Sequence, residues 1–399
     1  MSERTKTEMK IAAIIPARGG SKGIPDKNIK ILSGQPLISY TIENAKRSGL
    51  IERVFVSTDS LEIERISKAY GAEVILRPPE ISGDRSSSEE ALLDALKQIE
   101  EKNSLVPDIL VFLQCTSPLT LPEDINGTIQ VLLDEKADSA FSAAHFHYFL
   151  WKREPDGDSA GINHNKKVRP LRQEREAQFL ETGAVYAMRA NGFKEAKFRF
   201  FGKTAMYVMP AERCLEIDEP FDLVLAESRL LDRKANNNIQ KLPDRIEAAI
   251  FDFDGVFTDN SVIIDENGVE SALCNRSDGH GISLLKVAGV PILTLSTEKK
   301  PIVLFRSQKL GVECINGVDN KLAAMTAWAA ERGIDLSKVV YVGNDVNDLE
   351  CLRAVGCGVA VADAYPEIKS SARIVLRSSG GRGAVREICD LLIQKIKAV

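Results

Sequence analysis

Short apolar runs alternate with amphipathic stretches along most of this chain, and that alternation sets the fold class. Ile11–Ile15, Val54–Thr58 and Ile109–Leu113 are continuous apolar runs rich in β-branched and aromatic residues, the pattern of strands buried on both faces. Glu73–Leu76, Ser139–Ala144 and Ala184–Met188 are further strands. Between them the period becomes helical. Pro36–Ser48 opens on a proline, places Leu37, Tyr40, Thr41, Asn44 and Ala45 on one face and stops at Gly49. Asp59 and Glu62 have capping-box spacing for a helix that closes at Gly71. Ser86–Ser88 precede a helix over Glu89–Glu101, and Asp222 opens another. The alternation resumes with Ala248–Phe251, a hairpin within Val262–Ser271 turning at Asn267-Gly268, a helix after Gly281, Ile292–Leu295, a helix over Leu322–Glu331, and Val339–Val342. The prediction is an α/β protein whose mostly parallel, doubly wound sheets bind ligands beyond the carboxyl ends of their strands.

The pattern breaks once. Asp232–Arg245 is polar and asparagine-rich, contains a proline, and reads as a linker. A chain of 399 residues, 44% of them hydrophobic, can bury two cores. We therefore expect a domain over 1–235, a linker over 236–246 and a second domain over 247–399. The net charge of −5 argues against a nucleic-acid or anionic-membrane partner. No apolar run approaches the roughly 20 residues that span a bilayer. The polar start predicts no export leader, and seven scattered cysteines without a CxxC read as reduced thiols, so a cytoplasmic protein is expected.

The first strand runs into the chain's most distinctive stretch. After Pro16 come Arg18, Gly19, Gly20, Ser21, Lys22 and Gly23, then Lys27 and Asn28. Glycines let backbone N–H groups approach an anion, and the three cations add charge, so this reads as a phosphate loop of neither Walker A nor dinucleotide type. A polar loop, Pro78–Ser88, carries Asp84, Arg85, Ser86 and Ser87, which suit a nucleotide as well as a helix cap. The strand Ile109–Leu113 leads into Gln114, Cys115, Thr116 and Ser117. Cys115 has no base near it in sequence and reads as a packed thiol. His145 and His147 alternate on one strand face without an evident third metal ligand, which favours pocket lining or a strand end. Arg169, Arg172 and Arg175 cluster in an acidic protein, as an anionic substrate or a solvated charge run would both have it. Glu216, Asp218 and Asp222 are carboxylates suited to Mg²⁺ beside a nucleotide, Asp222 serving equally as a helix cap.

The loop, read IPARGGSKGIPDKN, resembles the first motif of the N-acylneuraminate cytidylyltransferases nearly letter for letter. The resemblance implies a nucleotide-diphospho-sugar-transferase-like fold in which Arg18, Gly19, Gly20, Ser21, Lys22, Lys27 and Asn28 hold CTP, with Asp84, Arg85, Ser86 and Ser87 also at the nucleotide. The family pattern QPTSPLR is met by Gln114, Thr116 and Ser117, but Cys115 stands for the first proline and Thr120 for the arginine. The family's RRQ and ExGxxY are met by Arg172, Gln173, Glu181, Gly183 and Tyr186, with Phe179 where many relatives have tyrosine. With Arg169, this region is implied to hold the sugar acid and to contribute to a dimer interface. Asp218 and Asp222 match the family's IDxxxD, while Glu216 stands where a further aspartate is usual.

The second half carries Asp252 and Asp254 just past a buried strand, in a stretch that resembles motif one of the haloacid-dehalogenase (HAD) phosphatases, DxDGVxTD. That resemblance implies a HAD-like Rossmannoid fold, Asp252 as nucleophile and Asp254 as general acid and base. Thr294 and Ser296 would bind phosphate, Lys321 would neutralise it, and Asp345 and Asp348 would join Asp252 and Asp254 around Mg²⁺. Only a hairpin separates motif one from the following helix, which resembles the capless branch acting on eight- and nine-carbon keto acid phosphates, whose members are usually tetramers. Together the two resemblances imply an enzyme that joins CMP from CTP to a sialic-type nonulosonic acid, with Arg18, Lys22 and Lys27 as catalytic cations, and a phosphatase acting on a sugar-acid 9-phosphate. A homodimer or homotetramer is expected. The alternatives are a silent second domain used only for tetramer assembly, and an eight-carbon sugar acid as the substrate of the first.

Overall fold

The computed structural model describes residues 9–21, 23–83, 86–102 and 105–398. Lys22, Asp84 and Arg85 lie outside the described residues. The chain divides into two compact units, Met1–Leu231 and Asp232–Val399.

The first unit is built on a seven-stranded sheet of β1 (Ile11–Pro16), β2 (Arg53–Thr58), β3 (Glu73–Leu76), β4 (Ile109–Leu113), β5 (Ser139–Phe146), β6 (Gln178–Arg189) and β7 (Thr204–Val208). Their spatial order is β7-β5-β6-β4-β1-β2-β3. The five apolar residues that open β1 are buried, with parallel neighbours on both sides, which is why that run reads as continuously hydrophobic. The sheet is not wholly parallel: β6 runs antiparallel to β4 and to β5. It is also longer than its apolar run, because its first half is exposed and polar and therefore silent in a hydrophobicity pattern. The order reverses beside β1, since the chain moves from β1 through β2 to β3 on one side and places β4 on the other. A crevice forms at such a reversal beyond the carboxyl ends.

Helix Leu37–Arg47 and helix Ser88–Lys102 fall within two residues of their expected bounds. The cap of helix Leu61–Ala69 is a correction: Ser60, not Asp59, accepts its first-turn N–H, from Ile63 at 3.4 Å. Asp59 instead accepts the Gly19 N–H at 2.8 Å and tethers the glycine loop. The region after β5 contains a small hairpin of Trp151–Arg153 and Ser159–Gly161. The polar stretch read as a linker is helical as far as Lys241, in one helix over Pro220–Lys241.

The second unit holds a six-stranded, wholly parallel sheet of β8 (Ala248–Phe251), β9 (Ile292–Leu295), β10 (Glu313–Ile315), β11 (Val339–Gly343), β12 (Cys357–Ala360) and β13 (Ile374–Val375), in the order β10-β9-β8-β11-β12-β13. Here β8 is the strand at which the order reverses. A short antiparallel pair, Ile263–Ile264 with Glu270–Ser271, forms the hairpin after motif one. Helix Arg276–Val287 starts earlier than expected, because Asn275 accepts the Ser277 N–H and so begins it ahead of the glycines.

Candidate active sites

A cavity of about 380 Å³ opens at the reversal point of the first unit. Arg18, Ser21, Gly23, Lys27 and Asn28 line it from the loop after β1, Gln114 and Thr116 from the end of β4, Ser86 and Ser87 from the start of helix Ser88–Lys102, and Asp218 from the segment before helix Pro220–Lys241. Three features set its chemistry. Lys27 Nζ donates to the Ile217 carbonyl at 2.8 Å and to Asp218 at 3.2 Å, which leaves an ammonium held at the mouth beside an exposed carboxylate. Arg77 also lines the cavity; its Nη2 donates to the Ser57 carbonyl at 2.8 Å and its Nε to Ser57 Oγ at 3.2 Å. Burial pulls that guanidinium's pKa down from its ordinary value, with Arg18 adding to the effect. Ser87 does double duty, accepting the Glu90 N–H at 3.2 Å in a capping box while facing the cavity.

The acids sort differently from their spacing. Glu216 accepts from Gln114 Nε2 at 2.7 Å and Thr116 Oγ1 at 3.3 Å, so those two residues are its anchors. Gly183 holds a φ of +67° in the bulge between Glu181 and Tyr186, and a Cβ there would lie 2.8 Å from the Glu216 carboxylate. Asp222 accepts the N–H groups of Asp218 and Glu219 at 2.9 and 2.8 Å, which holds its carboxyl below the usual carboxylate range. It is a helix cap that fixes the Asp218 backbone, and Asp218 is the carboxylate left facing the cavity.

The expected sugar-acid residues do not meet in that cavity. Arg172 and Gln173 line a second one of about 210 Å³ with His145, His147 and Arg175. Arg169 and Arg175 lie over the Phe149 ring at 4.7 and 4.2 Å, and Phe179 packs on His145. Tyr186 is buried, stacks on Phe112 at 5.2 Å and donates to Glu181; burial first and then that carboxylate push its phenol upward. Ser117 is buried under the segment rather than at the cavity, with no hydrogen-bond partner for its hydroxyl.

In the second unit, β8 delivers Asp252 to the reversal point, and its N–H donates to Val342 of β11 at 2.9 Å. Lys321, at the start of helix Lys321–Glu331, reaches Asp252 Oδ1 and Asp348 Oδ1, each at 2.7 Å, with all three side chains buried. Burial pushes the Asp252 carboxyl well up, Asp348 adds to it, and Lys321 opposes both. Burial alone would lower the Lys321 ammonium, but the two carboxylates outweigh it. Asp254 is raised by burial and then by Glu298. Asp348 has a different place from the metal position expected of it. Its Oδ1 also accepts from Tyr341 at 2.6 Å and its Oδ2 from the N–H groups of Asn344 at 2.9 Å and Asp345 at 3.4 Å, so it braces Lys321. Asp345 caps its own short turn through Val346 N–H at 2.6 Å.

On the two strands paired with β8, two buried polar atoms have no hydrogen-bond partner among the described residues: Thr294 Oγ1 at the end of β9 and Asn344 Oδ1 after β11. Unpaired buried groups are costly, and such atoms beside a buried carboxylate are what a phosphate or a hard cation satisfies. Ser296, by contrast, is occupied as an acceptor from Glu298 N–H at 3.0 Å. Among the described residues, no cluster of three or more His, Cys, Asp or Glu is placed to hold a metal ion unaided.

The cytidylyltransferase family profile matches residues 12–235, and a haloacid dehalogenase-like hydrolase profile matches 294–388. N-acylneuraminate cytidylyltransferase A of Danio rerio is 32% identical over 403 aligned positions that cover 100% of this chain and 92% of that protein. The chain belongs to the N-acylneuraminate cytidylyltransferase family. A second member, from Oncorhynchus mykiss, is 33% identical and covers 97% of this chain and 90% of its own length. The pseudaminic acid cytidylyltransferase of Campylobacter jejuni is 31% identical over 55% of this chain and 95% of its own. The second half of this family member is thus a HAD-like unit. Sequence reasoning took Asp59 for a helix cap and missed Arg77 and Asn344. Arg77, next to the proline pair that opens a polar loop, offers a faint signal for a cation turned inward. Asn344 offers none, because an amide next to Asp345 draws no attention by charge.

Proposed function

We propose that the first unit transfers CMP from CTP to a sialic-type nonulosonic acid, and that the second hydrolyses a sugar-acid 9-phosphate. The observation that carries the first reading is the cavity at the reversal point, where Arg18, Lys27 and Arg77 surround a glycine loop that can wrap a triphosphate. The anomeric hydroxyl of the sugar acid gives its proton to water, its oxygen forms a bond to the α-phosphorus, the bond from that phosphorus to the bridging oxygen of the β-phosphate breaks, and pyrophosphate leaves with its charge facing the cations. Lys22, Lys27 and Arg18 would neutralise that charge, work that is mostly positioning and electrostatics. Gly19, Gly20, Ser21, Ser86 and Ser87 would follow the nucleotide, with Asp84 and Arg85 beside it. Gln114 and Thr116 fix the Glu216 wall, and Arg169, Arg172, Gln173, Phe179 and Glu181 would meet the sugar acid. Asp218 would hold Mg²⁺ together with the nucleotide's own phosphates, the usual way this ion is bound, and Asp222 would keep Asp218 in place. The ion would supply charge neutralisation at the phosphates.

In the second unit the oxygen donors of Asp252, Asp254, Asp345 and Asn344 are of the hard class that suits Mg²⁺. Asp252 would attack phosphorus, and Asp254, whose raised pKa suits an acid, would protonate the leaving oxygen. The aspartyl-phosphate would then be hydrolysed by water deprotonated at Asp254. Thr294 would donate to the phosphoryl oxygens. Val262, Ile263, Ile264, Val269 and Leu273 expose apolar side chains around the hairpin, which supports assembly to a homodimer or homotetramer through that face. No helix among the described residues is long and apolar enough to cross a membrane, and all seven cysteines are unpaired. A cytoplasmic enzyme is the reading these facts support.

The test of the first activity is incubation of the full chain with CTP, Mg²⁺ and a panel of nonulosonic acids, followed by ³¹P spectroscopy. A phosphodiester signal with stoichiometric pyrophosphate is expected for at least one acid. CTP left intact with every acid would refute the reading.

A further inference from the structure

The segment that ends β4 alternates its side chains between two walls of the nucleotide cavity. Gln114 and Thr116 turn to Glu216, while Cys115 between them turns the other way, to the loop after β1. There its Sγ lies 2.9 Å from Asn28 Oδ1. The other end of the same amide, Nδ2, donates to the Arg18 carbonyl at 2.9 Å. Asn28 and Cys115 are both buried. A carbonyl can only accept, so the amide must turn its NH₂ to Arg18 and its oxygen to the thiol. The thiol is the donor that satisfies that oxygen. Asn28 sits in a single turn, Lys27–Ile29, whose first residue is the cavity's ammonium. The chain of bonds from Cys115 through Asn28 to the Arg18 carbonyl therefore joins the end of β4 to Arg18 and Lys27, two of the loop's cations.

We propose that Cys115 is a positioning residue for nucleotide binding: its S–H orients the Asn28 amide, which in turn holds Arg18 and Lys27 in register around the cavity. This rests on the reading of that cavity as the CTP site. It assigns a task to a residue that sequence marks only as a departure from a proline. Burial pushes the Cys115 thiol up to about 11, with Glu216 adding and Lys27 opposing, so it keeps the proton it must donate and is a poor nucleophile. The side chain is small and buried, with only its edge in the cavity lining, so a substitution that conserves volume separates donation from packing.

The experiment compares Cys115→Ser, Cys115→Val and Cys115→Ala in the full chain. CTP affinity is measured by calorimetry without sugar acid, and KM for both substrates by turnover. Loss of one buried donor predicts about a tenfold weaker Kd and a higher KM for CTP in the valine and alanine variants. KM for the sugar acid should stay within about twofold, and serine, which still donates, should restore CTP affinity to within about threefold of wild type. If valine at this position prevents folding, alanine against serine makes the same comparison. Wild-type CTP affinity in the alanine variant would overturn the proposal. So would serine as weak as alanine, because packing and not donation would then matter. Failure of the wild-type protein to bind CTP would instead refute the reading of the cavity itself.

Discussion

Replacing Lys321 by methionine gives the sharpest physical prediction for the second unit. The side chains are similar in volume, so the packing of helix Lys321–Glu331 is preserved and the change is one of charge. Lys321 is nearly inaccessible and holds Asp252 and Asp348, each at 2.7 Å. Removing one partner of a buried ion pair costs roughly 3–5 kcal/mol because the other charge is left uncompensated. Asp348 keeps its bonds from Tyr341, Asn344 and Asp345, so Asp252 bears most of that cost. Two influences that lower the Asp252 pKa, the charge and the hydrogen bond of Lys321, disappear, while burial and Asp348 continue to raise it. In the variant, the folded state therefore holds a proton on Asp252 over a range where the unfolded chain, with an ordinary pKa of about 3.9, has lost it. Because the wild-type Asp252 carboxyl is already pushed up to about 8 by burial, stability relative to wild type changes little between pH 4 and that value. Above it the variant loses up to about 1.4 kcal/mol per pH unit more than wild type, until its own higher pKa is passed. The chain has two tryptophans, and Trp328 lies on the same helix as Lys321. In a Trp151→Phe background, urea titrations followed by Trp328 fluorescence at several pH values read this unit alone. Adding Asp252→Asn should recover most of the loss. A penalty that grows steadily from pH 5 to 7, or one that Asp252→Asn does not relieve, would refute the reasoning.

Thr294→Val removes a buried hydroxyl that has no partner, so the fold should be unchanged or gain up to about 1 kcal/mol while phosphate release from a sugar-acid phosphate falls; a clear drop in melting temperature would contradict this. Asp222→Asn keeps a good cap and should retain CMP transfer within a few fold, whereas Asp222→Ala should lose about 1 kcal/mol in thermal unfolding. A hundredfold loss of turnover in Asp222→Asn would make that residue a metal ligand instead. Lys27→Met should lower kcat/KM for CTP by about 10²–10³-fold, as expected when one donor to developing charge is removed, with the melting curve little changed; steady-state kinetics with varied CTP decides it.

Much of this layout is legible in the sequence because buried parallel strands write themselves as apolar runs. Ile11–Ile15 and Ala248–Phe251 each precede their loop chemistry directly, so strand, reversal point and candidate residues can be read as one unit. What stays hidden has identifiable causes. The exposed half of Gln178–Arg189 carries no hydrophobic period, so its antiparallel course and its bulge at Gly183 do not show. Asp222 and Asp348 have the spacing of metal ligands, but capping and ion-pair bracing use the same side chain, and only hydrogen-bond partners tell these uses apart. The polar stretch from Asp232 lies where the two units divide, but its helical course to Lys241 does not show, because a polar helix looks like a linker when it need not bury a full face. Arg77, Cys115 and Asn344 gain meaning from long-range neighbours: Ser57, Asn28 and the Asp252 pocket.

The most direct test of the whole account is one reaction: the purified full chain with Mg²⁺ and a 9-phosphorylated nonulosonic acid, run with and without CTP. The account predicts free phosphate without CTP, and CMP-sugar with pyrophosphate once CTP is added, the first product disappearing in Asp252→Asn and the second persisting there when the dephosphorylated acid is supplied. No phosphate from any sugar-acid phosphate would contradict the assignment of the second unit, and no CMP-sugar from any nonulosonic acid would contradict the central claim.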